Sequence, residues 1–570
     1  MDYTIKIGGE AGQGILTIGD TLARVFARSG YHVFTHQDYE SRIRGGHNIY
    51  QIRVSEQPVM ASRSGIDILV VLDAATIASH EHELSPDGLV VYDSDSLKQK
   101  HDKPNFLDVP FMRLAMEQTG NKIMANTAAT GAVLGMLGVS TSVLESIFHD
   151  LFKKDDIVAA NLKAAAAGYA YAKKHCLRCS FLPADTTRPK MLIQGNDAVG
   201  LGALASGLKF YAAYPMTPST SIMLSVAARA KEYGVIVEQA EDEIAAINMA
   251  LGASFAGVRA MTASSGGGFA LMVEGLSLAA ITETPIVIGL VQRPGPATGL
   301  PTKTEQADLN FALYSAHGEF PRVLFAPGSP EQAFFLTNKA FDLAEKYQIP
   351  VLLLSDQYLA DTQWTFDGFD TSKLIYTDYR MREKAFSSLS SYQRHAYTET
   401  GVSPLAVPGD GPHVVITDSD EHDEMGNLVE DIETRNRMME KRLFRKLPLI
   451  QAEIAPPAYY GQENPDIVLV GWGSTYGLLK EAVDALNARY GAAMLHFSEI
   501  YPLPLPGKLD YPAILRNAKQ SICIENNATG QFARLLKTET GFQFSHLITK
   551  YDGRPFLLEQ LIGEINAKLG

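Results

Sequence analysis

With 570 residues, 46% apolar and 20% charged, the chain has the composition of an ordinary folded protein; disordered and fibrous classes are excluded, and there is room for about three or four cores. A formal net charge of -14 speaks against non-specific nucleic-acid binding, which depends on clustered Lys and Arg. Three cysteines are too few for a disulfide framework, no apolar run reaches the roughly 20 residues of a membrane helix, and Met1 to Lys6 lack the pattern of a secretory signal, so a reducing, cytoplasmic setting is expected.

The predicted elements begin with a strand over Tyr3–Ile7, a glycine turn and a helix over Ile15–Ser29; alternating strands and helices follow, with strands at Ile66–Leu72 and Leu89–Tyr92. Such alternation predicts an α/β domain with a mainly parallel sheet over residues 1–180. In the turn, Gly12, Gln13 and Gly14 precede a helix, where glycines let a ligand phosphate approach backbone N–H groups. The dinucleotide pattern G-x-G-x-x-G would start at Gly12 but meets Thr17 at its third glycine, which disfavours a nicotinamide dehydrogenase; a plain packing turn is the competing reading. Arg42 and Arg44 supply charge for a phosphorylated ligand or are solvated surface. The stretch Lys173–Lys190 reads as a linker. Its Cys176 and Cys179 lack the second pair that zinc or iron–sulfur binding needs, leaving a structural or incidental role or a site shared with another chain.

A second α/β domain is predicted over 191–365, with strands Leu208–Tyr211, Val235–Glu238, Arg259–Ala263, Ile286–Leu290 and Val351–Ser355. After the first of these, Tyr214-Pro215-Met216-Thr217-Pro218-Ser219-Thr220 holds the Thr217 hydroxyl on a Pro-stiffened loop at the carboxyl edge of the sheet, where α/β proteins bind ligands. Glu241 and Asp242 suit an ordinary first helical turn, whereas Glu243 adjoins the apolar run and is expected to be buried, able to share a proton with a cofactor nitrogen. Ser264-Ser265-Gly266-Gly267-Gly268 permits close backbone approach, and Arg293, after a buried strand, can clamp a carboxylate bidentately or close a loop on carbonyls. Residues 366–460 read as an irregular, charged connecting segment. Within it Gly409-Asp410-Gly411 is rejected as a diphosphate motif, the acidic run 418–424, including Asp420-Glu421-His422-Asp423-Glu424, reads as solvated linker, and Arg435–Lys446 as a basic helix. A third α/β unit, 461–570, carries strands Ile467–Gly471, Ala493–Phe497 and Gln520–Glu525.

On Gly9-Glu10-Ala11-Gly12-Gln13-Gly14-Ile15, Tyr214 to Thr220, Glu241 to Gly252, Gln292 to Leu300 and Glu525-Asn526-Asn527-Ala528-Thr529-Gly530-Gln531, the chain resembles the 2-oxoacid:ferredoxin oxidoreductases, specifically the fused α subunit of the 2-oxoglutarate type. The resemblance implies a multi-domain α/β fold: a γ-type domain, a thiamine-diphosphate pyrimidine-binding domain and a transketolase C-terminal-like domain. It implies that Glu243 is catalytic and bonds the thiamine aminopyrimidine, that Thr217 and Arg293 bind the 2-oxoacid, and that Gly12, Gln13, Gly14, Arg42 and Arg44 help bind coenzyme A. No metal ligand is expected in this chain. A β subunit is implied to hold Mg2+, the diphosphate and a [4Fe–4S] cluster, in an (αβ)2 enzyme that passes electrons to ferredoxin and the acyl group to coenzyme A. The implied substrate is 2-oxoglutarate, with pyruvate or another 2-oxoacid as the alternative. The family's Thr-Ser-Gly-Pro-Gly is replaced here by Ala263-Ser264-Ser265-Gly266-Gly267-Gly268, and its Ile by Met216.

Overall fold

The computed structural model describes residues 2–42, 45–179, 181, 188–507 and 509–569. The chain divides into two compact units, one of Met1–Ile193, Thr362–Gly368 and Phe556–Gly563, the other of Gln194–Asp361, Phe369–Pro555 and Glu564–Gly570. The fold is multi-domain α/β, as the strand–helix alternation predicts.

The first unit is built on an eight-stranded sheet. Its central strand, Asp2–Ala11, pairs in parallel with Ile66–Val71 and antiparallel with Gly45–Ser55. Beyond Ile66–Val71 the sheet continues in parallel through Leu84–Tyr92 and Phe106–Asp108; on the other side it continues through His32–Asp38, Gln363–Phe366 and Met191–Gln194. The sheet is therefore mixed where a mainly parallel one was expected. The hairpin strands carry His, Gln, Asn and Arg, which hides them from an apolar-run search, and an antiparallel pair needs only a short turn instead of a crossover helix. The helix Ile15–Arg28 lays Ile18, Leu22, Val25 and Phe26 into a core shared with Ile5, Ile7, Ile52 and Val54.

Cys176 and Cys179 form a disulfide just after the helix Asp155–His175. This corrects the expectation of reduced thiols: a pair spaced by two residues can close a local loop without any wider framework, and its sulfurs are thereby unavailable to a shared metal. Much of the adjoining linker stretch, including Pro183, Asp185, Thr186 and Thr187, lies outside the described residues. Among the described residues no helix is long and apolar enough to cross a membrane.

The second unit has a seven-stranded sheet in which Ile236–Gln239, Leu208–Ala213, Arg259–Ser264, Ile286–Gln292, Pro350–Asp356 and Val323–Phe325 run parallel as successive neighbours. Ile286–Gln292 is buried throughout, as an unbroken apolar run in a doubly covered parallel sheet must be. The antiparallel edge strand Glu499–Tyr501 comes from the C-terminal part of the chain and joins this sheet through Val323–Phe325. A second, five-stranded sheet has the order Ala458–Gly461, Ala492–Phe497, Ile467–Trp472, Gln520–Glu525 and His546–Thr549. Trp472, Phe497 and Phe532 share one core with Phe269, Ile288 and Leu352 of the larger sheet's layer, so the two sheets are packed as one body.

From Phe369 onward the segment predicted as a connector belongs to this unit. Arg435–Lys446 is helical, but it belongs to a continuous run of the helix Ile432–Met439, a π-helical stretch Glu440–Arg445 and the helix Lys446–Ala452, and Lys441, Arg442 and Lys446 are buried. The solvated-linker reading of 420–424 is overturned. His422 is fully buried with its ring 3.9 Å from that of His395, Glu421 accepts from Arg435 and Arg442, and Glu424 accepts from the Tyr397 N–H. Composition alone concealed this because the arginines that neutralise Glu421 lie 14 and 21 residues further along the chain. Asp410, in the rejected Gly-Asp-Gly, lies 3.5 Å from Arg382.

Candidate active site

Four laterally adjacent parallel strands deliver the predicted groups to one edge. In spatial order, Ile286–Gln292 ends at Arg293, Arg259–Ser264 ends at Ser265 and the start of the helix Gly266–Ile281, Leu208–Ala213 ends at the Thr217 loop, and Ile236–Gln239 leads to Glu243. Parallel pairing sends every carboxyl terminus to the same side, so segments more than seventy residues apart in sequence converge.

Glu243 is the first residue of the helix Glu243–Phe255 and is 3% exposed. Asp242 is the N-cap, accepting from the Ala245 N–H at 2.7 Å, the structural role expected of it. Ser264 donates its hydroxyl to Glu243 Oε1 at 3.1 Å. A Cβ on Gly268 would fall 2.2 Å from that same oxygen, so glycine is needed to leave the carboxylate room. No basic side chain pairs with Glu243 in the described ion pairs, unlike buried Glu283, Glu345 and Glu499, each of which has a Lys or Arg partner. Ser265 Oγ, Thr262 Oγ1 and Asn196 Oδ1 are likewise buried without a hydrogen-bond partner. A buried acid with a single hydroxyl donor, beside a cradle free of Cβ, suits a planar, hydrogen-bonding heterocycle.

The Thr217 loop is pinned by Asn196, which donates to the Pro218 carbonyl at 2.9 Å and to Ser221 Oγ at 2.8 Å, and by Ser219, whose hydroxyl donates to the Met216 carbonyl at 2.7 Å. Arg293, 9% exposed, donates from Nη1 to the Thr217 carbonyl. The structure thus brings Thr217 and Arg293 into direct contact. Burial lowers the guanidinium's pKa somewhat, while the nearby Asp308 carboxylate opposes that fall.

Sequence reasoning missed what holds the loop after Arg293. Gln306 donates from Nε2 to the Trp472 carbonyl at 2.9 Å, and its main chain is bracketed by Asn526 and Asn527 of the five-stranded sheet. Glu525 anchors that bracket, accepting from Trp472 Nε1, Asn527 Nδ2 and the Phe532 and Ala533 N–H groups. Glu305 and Asp308 ride on this loop; the signal available in the sequence was two carboxylates in Thr304-Glu305-Gln306-Ala307-Asp308 soon after the arginine.

In the first unit, Gly12 and Gly14 have φ of 94° and 85°, as the turn requires, and Gly14 precedes a helix whose N-terminus has no side-chain cap. Gln13 Oε1 accepts from the Glu10 N–H at 2.7 Å, so this side chain braces the turn. A Cβ on Gly14 would lie 1.8 Å from Asn126, whereas Gly12 faces open space. Gly45 pairs with Ala11, so the segment bearing Arg42 leaves the sheet beside the turn. Arg42 is exposed and pairs with Glu40 at 3.0 Å; Arg44 lies outside the described residues. Nearby, His47 and His80 meet Nε2 to Nε2 at 2.8 Å, and His80 Nδ1 contacts Glu83 at 2.9 Å, a polar chain that sequence reading did not foresee.

The family model "Pyruvate flavodoxin/ferredoxin oxidoreductase, thiamine diP-bdg" matches residues 201–441, and "Pyruvate ferredoxin/flavodoxin oxidoreductase" matches residues 4–171. The 2-oxoacid:ferredoxin oxidoreductase subunit alpha of a Sulfolobus species is 30% identical, the alignment covering 98% of this chain and 96% of the relative. The chain belongs to the 2-oxoacid:ferredoxin oxidoreductase α subunits. A 2-oxoglutarate synthase subunit KorA from Archaeoglobus fulgidus is 35% identical over 55% of this chain and 82% of its own. A solved 2-oxoglutarate:ferredoxin oxidoreductase from Magnetococcus marinus, determined with 2-oxoglutarate, coenzyme A and succinyl-CoA bound, superposes with a TM-score of 0.91 at 31% identity over 100% of both chains. For an α subunit of this family, the edge carrying Glu243, Thr217 and Arg293 falls within the matched thiamine diphosphate-binding region.

Proposed function

We propose that this chain is the α subunit of a cytoplasmic 2-oxoglutarate:ferredoxin oxidoreductase, catalysing CoA-dependent oxidative decarboxylation to succinyl-CoA, or the reverse reductive carboxylation. The observation that carries the reading is the convergence of Glu243, Thr217 and Arg293 on one sheet edge. The 2-oxoglutarate-bound neighbour, matched over its full length, favours that substrate over pyruvate.

Bound thiamine diphosphate supplies the nucleophilic carbon and the electron sink for decarboxylation. Glu243 is suited to the aminopyrimidine: Ser264 occupies Oε1, leaving Oε2 to hold a proton between itself and a ring nitrogen. Arg293 offers a bidentate donor set to the 2-oxoacid carboxylate, and the Thr217 hydroxyl a further donor. The buried strand ends exclude water around these groups and strengthen each electrostatic contact. A β subunit would bring Mg2+, the diphosphate contacts and a [4Fe–4S] cluster, in an (αβ)2 assembly that reduces ferredoxin. The glycine turn with Gly12, Gln13 and Gly14, together with Arg42 and Arg44, would receive part of coenzyme A.

The test is co-expression with the β subunit and CoA-dependent reduction of ferredoxin, comparing 2-oxoglutarate, pyruvate and indolepyruvate. Turnover confined to 2-oxoglutarate is expected. A preference for pyruvate would replace the substrate, and no turnover of any 2-oxoacid by a cluster-loaded complex would overturn the reading.

A further inference from the structure

The loop after Arg293 is overdetermined in its backbone and undersupplied at its carboxylates. The Thr304 N–H donates to the Gly553 carbonyl, Gln306 is bracketed by Asn526, Gln531 Nε2 donates to the Ala307 carbonyl at 2.7 Å, and the Asn310 N–H donates to Gln531 Oε1 at 2.8 Å. The Asp308 N–H donates to Gln292 Oε1 at 3.0 Å, and Gln292 is itself held by the Ser355 carbonyl at 3.1 Å. Asp308 is thus bolted to the residue preceding Arg293. Its side chain, in contrast, has no donor at Oδ2, which is buried; a Cβ on Gly266 would fall 2.5 Å from that oxygen. Glu305, half-buried, has no hydrogen-bond partner among the described residues. A carboxylate oxygen buried without a donor is costly, and protonation removes most of that cost.

We propose that Asp308, assisted by Glu305, is a positioning residue for Arg293: a proton taken from solvent onto the Asp308 carboxyl frees the guanidinium's charge for the 2-oxoacid carboxylate, so substrate binding is coupled to proton uptake. This rests on reading Arg293 as the carboxylate anchor. With Asp308 ionised, an incoming carboxylate meets a guanidinium already partly neutralised and two like charges beside it; with Asp308 neutral, it meets the full cation. Burial pushes the Asp308 carboxyl up to about 6, with Arg293 opposing, and burial together with Asp308 pushes Glu305 up to about 7. The groups facing Asp308 are Arg293 from the end of Ile286–Gln292 and Glu305 from its own loop; the helix Gly266–Ile281 meets it through Gly266, which brings no titratable group. Asp356, at the end of Pro350–Asp356, is engaged by Thr304 and the Leu359 N–H.

The sign follows from linkage: the complex binds more protons than the free enzyme, so affinity falls as pH rises through the free-enzyme titration. In the assembled enzyme, KM for 2-oxoglutarate is expected to rise by up to about tenfold per pH unit between about pH 6 and pH 8, with kcat far less affected. Calorimetry near pH 7 in two buffers of different ionisation enthalpy should show net proton uptake on binding. Asp308→Asn keeps the side chain's shape and mimics its neutral form, so most of the KM dependence on pH and most of the proton uptake should be lost. Glu305→Gln, a second variant that avoids the Gly266 contact, should reduce the KM slope without abolishing it. A wild-type enzyme that takes up no proton, or an Asp308→Asn enzyme with the wild-type slope, overturns the inference. Should Arg293→Gln leave KM unchanged, the reading of Arg293 itself fails; should that variant raise KM while Asp308→Asn changes nothing, only the role given to Asp308 fails.

Discussion

The edge at Glu243 and the knot around Glu283 both bury charge inside the same unit, and they do so in opposite ways. Glu283, 1% exposed and at φ 51°, receives Lys441 at 2.5 Å and Lys446 at 2.6 Å, with His395 3.6 Å away; buried Arg394 donates to its main-chain carbonyl. Although burial works the other way, the two lysines hold its carboxyl well below the ordinary glutamate range. Glu243 is as deeply buried but has only the Ser264 hydroxyl as a described donor. Charge that is compensated within the chain holds segments in place, here those carrying Arg394, His395, Lys441 and Lys446; a buried acid left undercompensated is held ready for something the chain does not contain.

Four substitutions would break or sharpen this contrast. Glu243→Gln keeps the packing but removes the proton site, and should cut turnover by roughly 10²–10⁴-fold with the melting transition unchanged; a rate within a few-fold of wild type would place Glu243 with the structural carboxylates. Glu283→Gln strands two buried lysines and should cost about 3–5 kcal/mol in chemical denaturation, with activity per folded molecule retained. Because Glu283 is depressed in the fold, its contribution is present above the unfolded glutamate value of about 4.3 and is lost as pH falls through the folded value. The stability gap between wild type and Glu283→Gln should therefore narrow in acid, and a gap constant with pH would count against the ion-pair account. Arg293→Lys loses the planar fork and should raise KM for the 2-oxoacid by about 10-fold or somewhat more, with kcat less affected. The smallest effect is expected from Asp242→Ala, which removes a helix cap worth about 1 kcal/mol and should lower stability while leaving KM near wild type.

What could be read ahead of the fold differs between the two regions for a physical reason. The edge assembled from Thr217, Glu243 and Arg293 was legible because each group sits next to a strong local signal: a proline-stiffened loop, a helix start, the end of an apolar strand. Parallel topology then brings strand ends together without further instruction. The Glu283 knot was not legible. Its partners lie 111 to 163 residues away, and a lysine that will be buried against a glutamate looks in sequence like any solvated lysine. The same limit hid the pairing of Glu421 with Arg442, the burial of His422 and the bracket that Asn526 and Asn527 place on Gln306. The antiparallel half of the first sheet escaped notice because its strands are polar, and the Cys176–Cys179 bridge because count alone addresses a framework, not a single local loop.

By itself the sequence determined the α/β class, the succession of buried strands and the identity of the groups at the sheet edge, since apolar periodicity and turn chemistry are local properties. Only the tertiary structure decided which charges are spent on each other and which are left free to act. That depends on neighbours across the chain and on the loss of water around them, and neither is encoded at any single position.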